Sequence, residues 1–148
     1  MKDLDFGILN KLVGYRLRRA QLCYFTDYIN TLEEEEIRPG LFGILSIIQA
    51  NPGLTQTAIA NALGNDRSAM VPAIDKLEKL KLVERRISEN DKRSYSLFLT
   101  SVGEAKYRRL VKKIHLHESH FDNLMTVEEK ELLIELLGRL TNVCENKT

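Results

Sequence analysis

The spacing of apolar side chains changes sharply after Leu80, and this change constrains the fold more than any other feature of the sequence. Apolar residues recur every three or four positions through Met70, Ile74 and Leu77, which predicts an amphipathic helix over residues 67–81. From residue 94 onward they alternate with polar residues, which predicts a half-buried β-strand. A helix must therefore be followed closely by extended chain.

The segment before this helix carries the signals of a second, shorter helix. Thr55 is a good N-cap residue for a helix that reaches Leu63, and Gly64 is typical of a helix C-terminus. A short helix, a glycine-containing turn and a longer helix define a helix-turn-helix. Residues 82–87 predict a partner strand, and the polar residues 88–93 predict the turn between two strands. We therefore predict a helix-turn-helix followed by a β-hairpin, an arrangement called a wing.

The rest of the sequence predicts helices that bring two copies of the chain together. Ser101 and Thr126, each followed three residues later by Glu, are predicted to cap the last two helices as capping boxes. The first helix, over residues 6–31, and the last helix each carry an apolar stripe that a chain this short cannot bury alone. We predict a mainly α (α+β) fold with a single domain over 1–148, in which residues 1–36 and 101–148 form the helical dimerisation region and residues 37–100 form the winged helix-turn-helix.

Composition excludes several other classes. The 148 residues are 43% hydrophobic, which suits one folded domain and not a disordered chain. No apolar stretch reaches the roughly 18 residues of a membrane span, and no secretory signal is visible, so we expect a soluble, cytoplasmic protein. The sequence lacks a phosphate-binding glycine loop, a nucleophile elbow and a zinc-protease motif, and it predicts neither an enzyme nor a cofactor. The net charge of +1 does not by itself suggest a nucleic-acid binder.

The outer face of the 67–81 helix suits the major groove of DNA. It carries short polar, methyl-bearing and cationic side chains, which contact base edges and thymine methyl groups. Pro72 removes a backbone hydrogen bond inside this helix, and local rules tend to be broken at functional sites. Asp75 repels phosphates unless it accepts from a cytosine amino group or pairs with Lys79. The alternative is an ordinary amphipathic surface helix.

The hairpin presents cations on its first strand and near its tip. We expect Arg93 to enter the minor groove, where narrow geometry concentrates negative potential, with Asp91 as its hydrogen-bond acceptor. One alternative is a solvated turn with charges for solubility, and another is a winged helix that binds protein partners. The predicted contacts to double-stranded DNA are Thr55, Gln56, Arg67, Ser68, Val71, Pro72, Lys76, Lys79, Arg85, Arg86, Asp91, Lys92 and Arg93.

Several motifs, taken in order, resemble the MarR family of winged helix-turn-helix transcription regulators over nearly the whole chain. They are Arg38-Pro39-Gly40, Asn51-Pro52-Gly53-Leu54-Thr55-Gln56, Asp66-Arg67-Ser68, Leu82-Val83-Glu84-Arg85 and, most specifically, Asp91-Lys92-Arg93 followed by Leu97-Phe98-Leu99-Thr100 and Gly103. The resemblance implies a homodimer that binds a pseudo-palindromic operator, usually as a repressor. It also implies a pocket through which small aromatic or anionic molecules loosen DNA binding. Lys81 departs from the pattern, since members commonly carry glycine there.

Aromatic rings and guanidinium groups lie close together along the first helix, which suits an aromatic carboxylate or a phosphate-bearing thioester as a small-molecule effector. Residues 14–20 also resemble a branch of the family tied to aromatic-acid breakdown, some of whose members sense hydroxycinnamoyl-type thioesters. The alternative is that these arginines pair with the acidic block 33–36. The predicted effector-binding residues are Tyr15, Arg16, Arg19, Tyr24, Tyr28, Arg38, Phe42 and His117.

Thiol and metal chemistry remain open alternatives. Cys23 is similar to the oxidant-sensing thiol of a peroxide-responsive branch of the family, although a Cys in an amphipathic helix is more often a small buried hydrophobe. Cys23 and Cys144 show no metal spacing and are expected to be free thiols. His117 and His120 lie three residues apart and both reach one Zn²⁺, but the sequence places no third strong ligand, so no metal site is predicted.

Overall fold

A computed structural model describes residues 4–64, 67–88 and 94–145. Within these ranges the chain is mostly helical with a small two-stranded antiparallel sheet, as predicted. No helix in them is long and apolar enough to cross a membrane. The helices are α1 (Val13–Leu32), α2 (Pro39–Ala50), α3 (Gln56–Ala62), α4 (Arg67–Lys79), α5 (Ser101–Ser119) and α6 (Val127–Glu145), the strands are β1 (Val83–Ile87) and β2 (Tyr95–Leu99), and 3₁₀ segments cover Gly7–Lys11, Glu33–Glu35 and Asp122–Leu124.

The hydrophobic core lies where α2, α3, α4 and α5 pack around the sheet. Ile59 of α3, Ile74 and Leu77 of α4, Leu97 of β2 and Leu110 of α5 are all fully buried. The apolar face predicted for the 67–81 segment therefore packs inward, as its spacing indicates. The opposite face of α4 is left on the surface.

The hairpin is joined by backbone hydrogen bonds to the segment that precedes α3. Within the sheet, Arg85 of β1 lies opposite Leu97 of β2. The Leu97 amide donates to the Leu54 carbonyl at 2.9 Å, and the Gly53 amide donates to the Leu97 carbonyl at 2.9 Å. The predicted pair of strands after the helix-turn-helix is thereby confirmed. The tip, residues 89–93, lies outside the described residues.

Two of the three predicted helix caps are confirmed, and one is wrong. The Thr55 hydroxyl accepts from the Ala58 amide at 3.2 Å, and the Thr126 and Glu129 side chains bond each other's backbone amides at 3.2 and 2.8 Å. At α5, however, the cap is Thr100 and not Ser101, because Thr100 is the last extended residue and its hydroxyl accepts from the Gly103 amide at 2.9 Å.

The predicted continuous first helix is also wrong. Leu12 is extended, with ψ of 121°, and separates the 3₁₀ segment Gly7–Lys11 from α1. The spacing of the apolar residues does not reveal this break. Apolar residues still recur every three or four positions when a 3₁₀ turn is joined to an α-helix by one extended residue.

Lys81 ends α4 in the left-handed conformation, with φ of 59°. The Leu82 amide donates to the Leu77 carbonyl at 2.9 Å, and the Lys81 amide donates to the Glu78 carbonyl at 2.8 Å. These two bonds form a Schellman motif, whose left-handed position is usually occupied by glycine. Lysine therefore replaces glycine here without changing the way the helix ends.

We expect Gly103→Ala to destabilise the fold. A Cβ atom at Gly103 would lie 1.9 Å from the Leu82 carbonyl oxygen, so α5 would have to move away from the start of β1. Overpacking of this kind costs about 1–3 kcal/mol or more in the free energy of unfolding. Urea denaturation measures the loss.

Gly40→Ala is the matched control, because a Cβ atom at this helical glycine of α2 meets nothing within 4 Å. Replacing an unconstrained helical glycine by alanine is neutral or stabilises by up to about 1 kcal/mol. Equal free energies of unfolding for the two variants would contradict the close approach at Gly103.

Candidate functional site

The surface of α4 presents the largest single group of the predicted DNA contacts. Val71, Pro72, Lys76 and Lys79 are exposed along one side of this helix. Ser68 is exposed near its start, while the side chain of Arg67 lies outside the described residues. Pro72 sits inside the helix, as predicted. The helix therefore offers a methyl-bearing and cationic surface, held in place by the core behind it.

Arg85 joins β1 to α3 and α4. Its guanidinium donates to Asp75 at 2.8 Å, to Glu78, and to the Gln56 side-chain oxygen at 3.4 Å. Asp75 therefore pairs with Arg85. From the sequence alone, its candidate partners are Lys79 and a cytosine amino group. Because both carboxylates of α4 are bound by this guanidinium, their repulsion of a nearby phosphate is reduced.

The remaining predicted contacts lie around this network. The Arg86 guanidinium pairs with Glu84 and lies 4.3 Å from the centre of the Phe98 ring, on the exposed side of the hairpin. Thr55 caps α3, and Gln56 follows it as the first residue of that helix. Asp91, Lys92 and Arg93 lie outside the described residues.

An aromatic cluster, composed of Tyr24, Tyr28, His117 and Phe121, lies between α1 and α5. The Tyr24 ring stacks on Phe121 at 4.5 Å and meets the edge of His117 at 4.4 Å between ring centres. The Tyr28 ring lies 5.5 Å from that of His117, and burial raises the pKa of the Tyr28 hydroxyl to about 12. Three predicted effector residues are thus brought together. Phe121 is not among the predicted effector residues, although the sequence places it beside His117 on an apolar face; in the structure it lies just beyond the end of α5.

The other predicted effector residues have different surroundings. Tyr15 packs near Phe6, Arg16 donates to the Asn10 carbonyl at 3.1 Å, and Arg19 is exposed. Arg38 is exposed at the N-cap of α2. Further along α2, Phe42 stacks on Tyr107 of α5 with ring centres 5.9 Å apart. The sequence prediction did not include Tyr107, whose partial burial beside Leu110 is visible only in the fold.

Asp27 lies beside the aromatic cluster and was not predicted. Its Oδ2 atom is 2.7 Å from His117 Nδ1 and 2.9 Å from His120 Nδ1. Hydrogen bonds from His120 and then from His117 hold the pKa of Asp27 below its ordinary value. No local sequence signal links Asp27 to histidines some 90 residues further along the chain.

Glu35 is the most buried carboxylate among the described residues, at 6% exposure. Lys106 Nζ lies 2.6 Å, Arg109 Nη2 3.0 Å and Lys113 Nζ 3.3 Å from its carboxylate. Glu35, in the acidic block 33–36, is therefore bound by cations of α5. From the sequence alone, arginines of the first helix are alternative partners for this block, and for Glu35 that prediction is wrong. The carboxylate fastens the end of α1 to α5.

Cys23 is exposed on α1, which differs from the buried position expected for a cysteine in an amphipathic helix. The face of α1 that packs on α5 passes through Tyr24 and Tyr28, so the neighbouring Cys23 is left at the surface. The side chain of Cys144 lies outside the described residues.

A helix-turn-helix whose second helix has an exposed outer face, followed by a hairpin bonded to it, defines a winged helix-turn-helix protein. A profile described as the MarR family matches residues 37–95. Proteins of this family are dimeric DNA binders. The chain is also 34% identical over 95% of its length to a Thauera aromatica protein assigned as a transcriptional regulatory protein for the hcr operon, 85% of which is covered. The chain belongs to the MarR family of transcriptional regulators.

Solved structures agree with this assignment. The transcriptional repressor CouR bound to a 23-mer DNA duplex superimposes with a TM-score of 0.90 and 35% identity, over 95% of this chain and 99% of CouR. CouR bound to p-coumaroyl-CoA superimposes with a TM-score of 0.85 and 34% identity, over 94% of this chain and 98% of CouR.

We expect Glu35→Gln to destabilise the protein in a pH-dependent way. Burial by itself raises the pKa of Glu35, but hydrogen bonds from Lys106, Arg109 and Lys113 outweigh it and lower the pKa to about 2 from the usual 4.5. The folded state thus binds this proton more weakly than the unfolded state. The carboxylate stabilises the fold by about 3 kcal/mol above pH 4.5, and this contribution is lost as the pH falls through about 2.

Urea denaturation of wild type and Glu35→Gln measures this effect. The difference in the free energy of unfolding is expected to fall by about half between pH 6 and pH 3. Glu34→Gln is the matched control, because the Glu34 side chain is 89% exposed and its substitution should change little. A difference for Glu35→Gln that stays constant over this range would contradict the assignment.

Proposed function

We propose that this chain is a homodimeric transcriptional repressor that leaves a pseudo-palindromic operator when an aromatic acyl-CoA thioester binds. Residues 37–100 form its DNA-binding region, and residues 1–36 and 101–148 form its dimerisation region. We place it in the cytoplasm, where it reaches DNA, and assign it no catalytic activity. The observation that carries the proposal is the cationic outer face of α4, presented beside a hairpin that Arg85 ties to it.

The charge on α4 supports DNA binding. Lys76 and Lys79 are exposed, while Asp75 and Glu78 are held by Arg85. The two lysines of α4 are thus left to interact with DNA phosphates, whereas its two carboxylates are already paired. The helix therefore fits the major groove better than a simple count of its charged residues indicates. The likeness to CouR in complex with a DNA duplex supports the same placement.

The apolar surface near both ends of the chain supports a dimer. Exposed apolar residues follow one another through the N-terminal segment and α6, among them Phe6, Leu9, Leu133, Leu136 and Leu137. Large contiguous apolar surfaces are uncommon on monomers and mark interfaces. In a symmetric dimer each copy presents one α4 to the DNA, and the spacing of the two α4 helices sets the spacing of the operator half-sites.

We expect Lys76→Ala and Lys79→Ala to weaken binding to a duplex from the protein's own promoter region. Each removes a phosphate-neutralising charge, so the slope of log affinity against log salt should become shallower by about two for a dimer, one per protomer. Fluorescence anisotropy of labelled duplex at several salt concentrations measures both quantities.

Lys112→Ala is the matched control, since Lys112 is an exposed cation of α5, in the dimerisation region. A salt slope reduced equally in the control and in the α4 variants would contradict the α4 assignment. Failure of wild type to shift promoter duplex would instead support a winged helix that binds protein partners. Arg93→Ala and Ser68→Ala are expected to weaken binding and to leave the dimer intact.

The aromatic cluster supports an aromatic effector. Tyr24, His117 and Phe121 pack face and edge against one another between α1 and α5, and a flat aromatic ligand that entered between these rings would stack on them. The likeness to CouR in complex with p-coumaroyl-CoA supports a thioester of this class.

We expect p-coumaroyl-CoA to release the protein from its promoter duplex, whereas coenzyme A alone does not. Tyr24→Ala removes the ring that stacks on Phe121, so calorimetry without DNA should show at least about tenfold weaker binding of the thioester. Tyr95→Ala is the control, because Tyr95 is an exposed ring on β2. No release by any aromatic acyl-CoA would contradict this effector class, and an oxidant response that disappears in Cys23→Ser would replace it.

A further inference from the structure

We propose that Asp27, His117 and His120 form a binding site for Zn²⁺ or a similar divalent transition-metal ion, which links α1 to α5. The DNA-binding and effector assignments do not require this site. Its three side chains come from two different helices, so a bound ion would fasten one helix to the other.

Three ligand atoms converge on one point. His117 Nδ1 and His120 Nδ1 lie 2.7 and 2.9 Å from the same atom, Asp27 Oδ2. The Oδ2 atom and the two Nδ1 atoms all lie within 4.8 Å of one another. Ligand atoms about 2.0–2.2 Å from a tetrahedral Zn²⁺ are separated by about 3.3–3.5 Å, so a small outward shift makes room for the ion.

The chemistry of the three side chains selects a class of metal. Two imidazole nitrogens and one carboxylate oxygen suit Zn²⁺, Ni²⁺ or Cu²⁺ better than Mg²⁺ or Ca²⁺, which prefer oxygen ligands. Three protein ligands leave a fourth position for water or for an oxygen of a ligand. A bound ion would take the Nδ1 lone pair of each imidazole, so both histidines would bind it in the neutral form with the ring proton on Nε2.

In the described part of the chain, the second ring nitrogen of His117, Nε2, is buried without a hydrogen-bond partner, and so is the hydroxyl of the neighbouring Tyr28 ring. These two rings lie 5.5 Å apart. A metal on Nδ1 fixes the remaining proton on Nε2, and metal-bound histidines usually donate that proton to an oxygen. The Tyr28 hydroxyl is an oxygen of the required kind on the neighbouring ring.

The burial of the ligands favours a fixed site. His117 is 1% exposed and is held between the rings of Tyr24, Tyr28 and Phe121. Because its side chain is already fixed toward Asp27, metal binding costs it little further conformational entropy. His120 is 44% exposed and Asp27 33%, which leaves a route for the ion from solvent.

Cobalt titration of the untagged, full-length protein tests the proposal. The protein is first treated with a chelator and dialysed, and Co²⁺ is then added while the visible d–d absorption is recorded. We expect one Co²⁺ per chain, bands of the intensity typical of a four-coordinate ion, and displacement of Co²⁺ by Zn²⁺. The absence of saturable Co²⁺ and Zn²⁺ binding would overturn the proposal and leave Asp27 as a hydrogen-bond acceptor for two histidines.

Variants locate the site. Asp27→Asn and His120→Ala should each weaken Co²⁺ binding at least tenfold, and circular dichroism checks that both remain folded. His115→Ala is the matched control, because His115 is an exposed histidine on the same helix and lies outside the cluster. Unchanged Co²⁺ affinity in His120→Ala, or an equal loss in His115→Ala, would overturn the assignment.

Discussion

The backbone carbonyls of Lys81 and Leu82 hold together the three parts of the structure on which function depends. The Thr100 hydroxyl donates to the Lys81 carbonyl at 2.6 Å, and the Thr100 amide donates to the Leu82 carbonyl at 3.1 Å. Gly103 packs directly on Leu82. The end of α4, the start of β1, the end of β2 and the start of α5 therefore meet at one junction. Neither α4 nor the hairpin can be displaced here without disturbing α5.

Local features of the sequence predicted the winged region well, because its boundaries are set by nearby residues. Thr55 caps α3 through its own side chain, and the change of period marks the end of α4. The cap of α5 was misassigned between adjacent residues, since both Thr100 and Ser101 have hydroxyl groups and backbone conformation alone decides between them. Asp27 was not predicted beside His117 at all, because nothing within either helix specifies which residues of the other it will face.

Whole-chain charge is a poor guide to this protein because charges on α4 and α5 are compensated by ion pairs close to them. Arg85 offsets two carboxylates of α4, and Glu35 is surrounded by cations of α5 that the sequence alone counts as a basic surface. The near-neutral total of +1 thus averages internal ion pairs with a small exposed basic face on α4. In the proposed function, DNA binding depends on that face, presented twice in a dimer, and not on the total charge.

A single helix connects the aromatic cluster to the DNA-binding region. From Gly103 at the junction to His117 in the cluster, α5 runs 14 residues, or about 21 Å at 1.5 Å per residue. If α5 moves as a rigid body, a change in how α1 packs on His117 would shift the other end of α5 against Leu82. A ligand between α1 and α5 changes DNA affinity only to the extent that it prefers one packing of these helices over another. The same requirement applies to an ion held by Asp27, His117 and His120, which would favour whichever packing keeps its three ligands together.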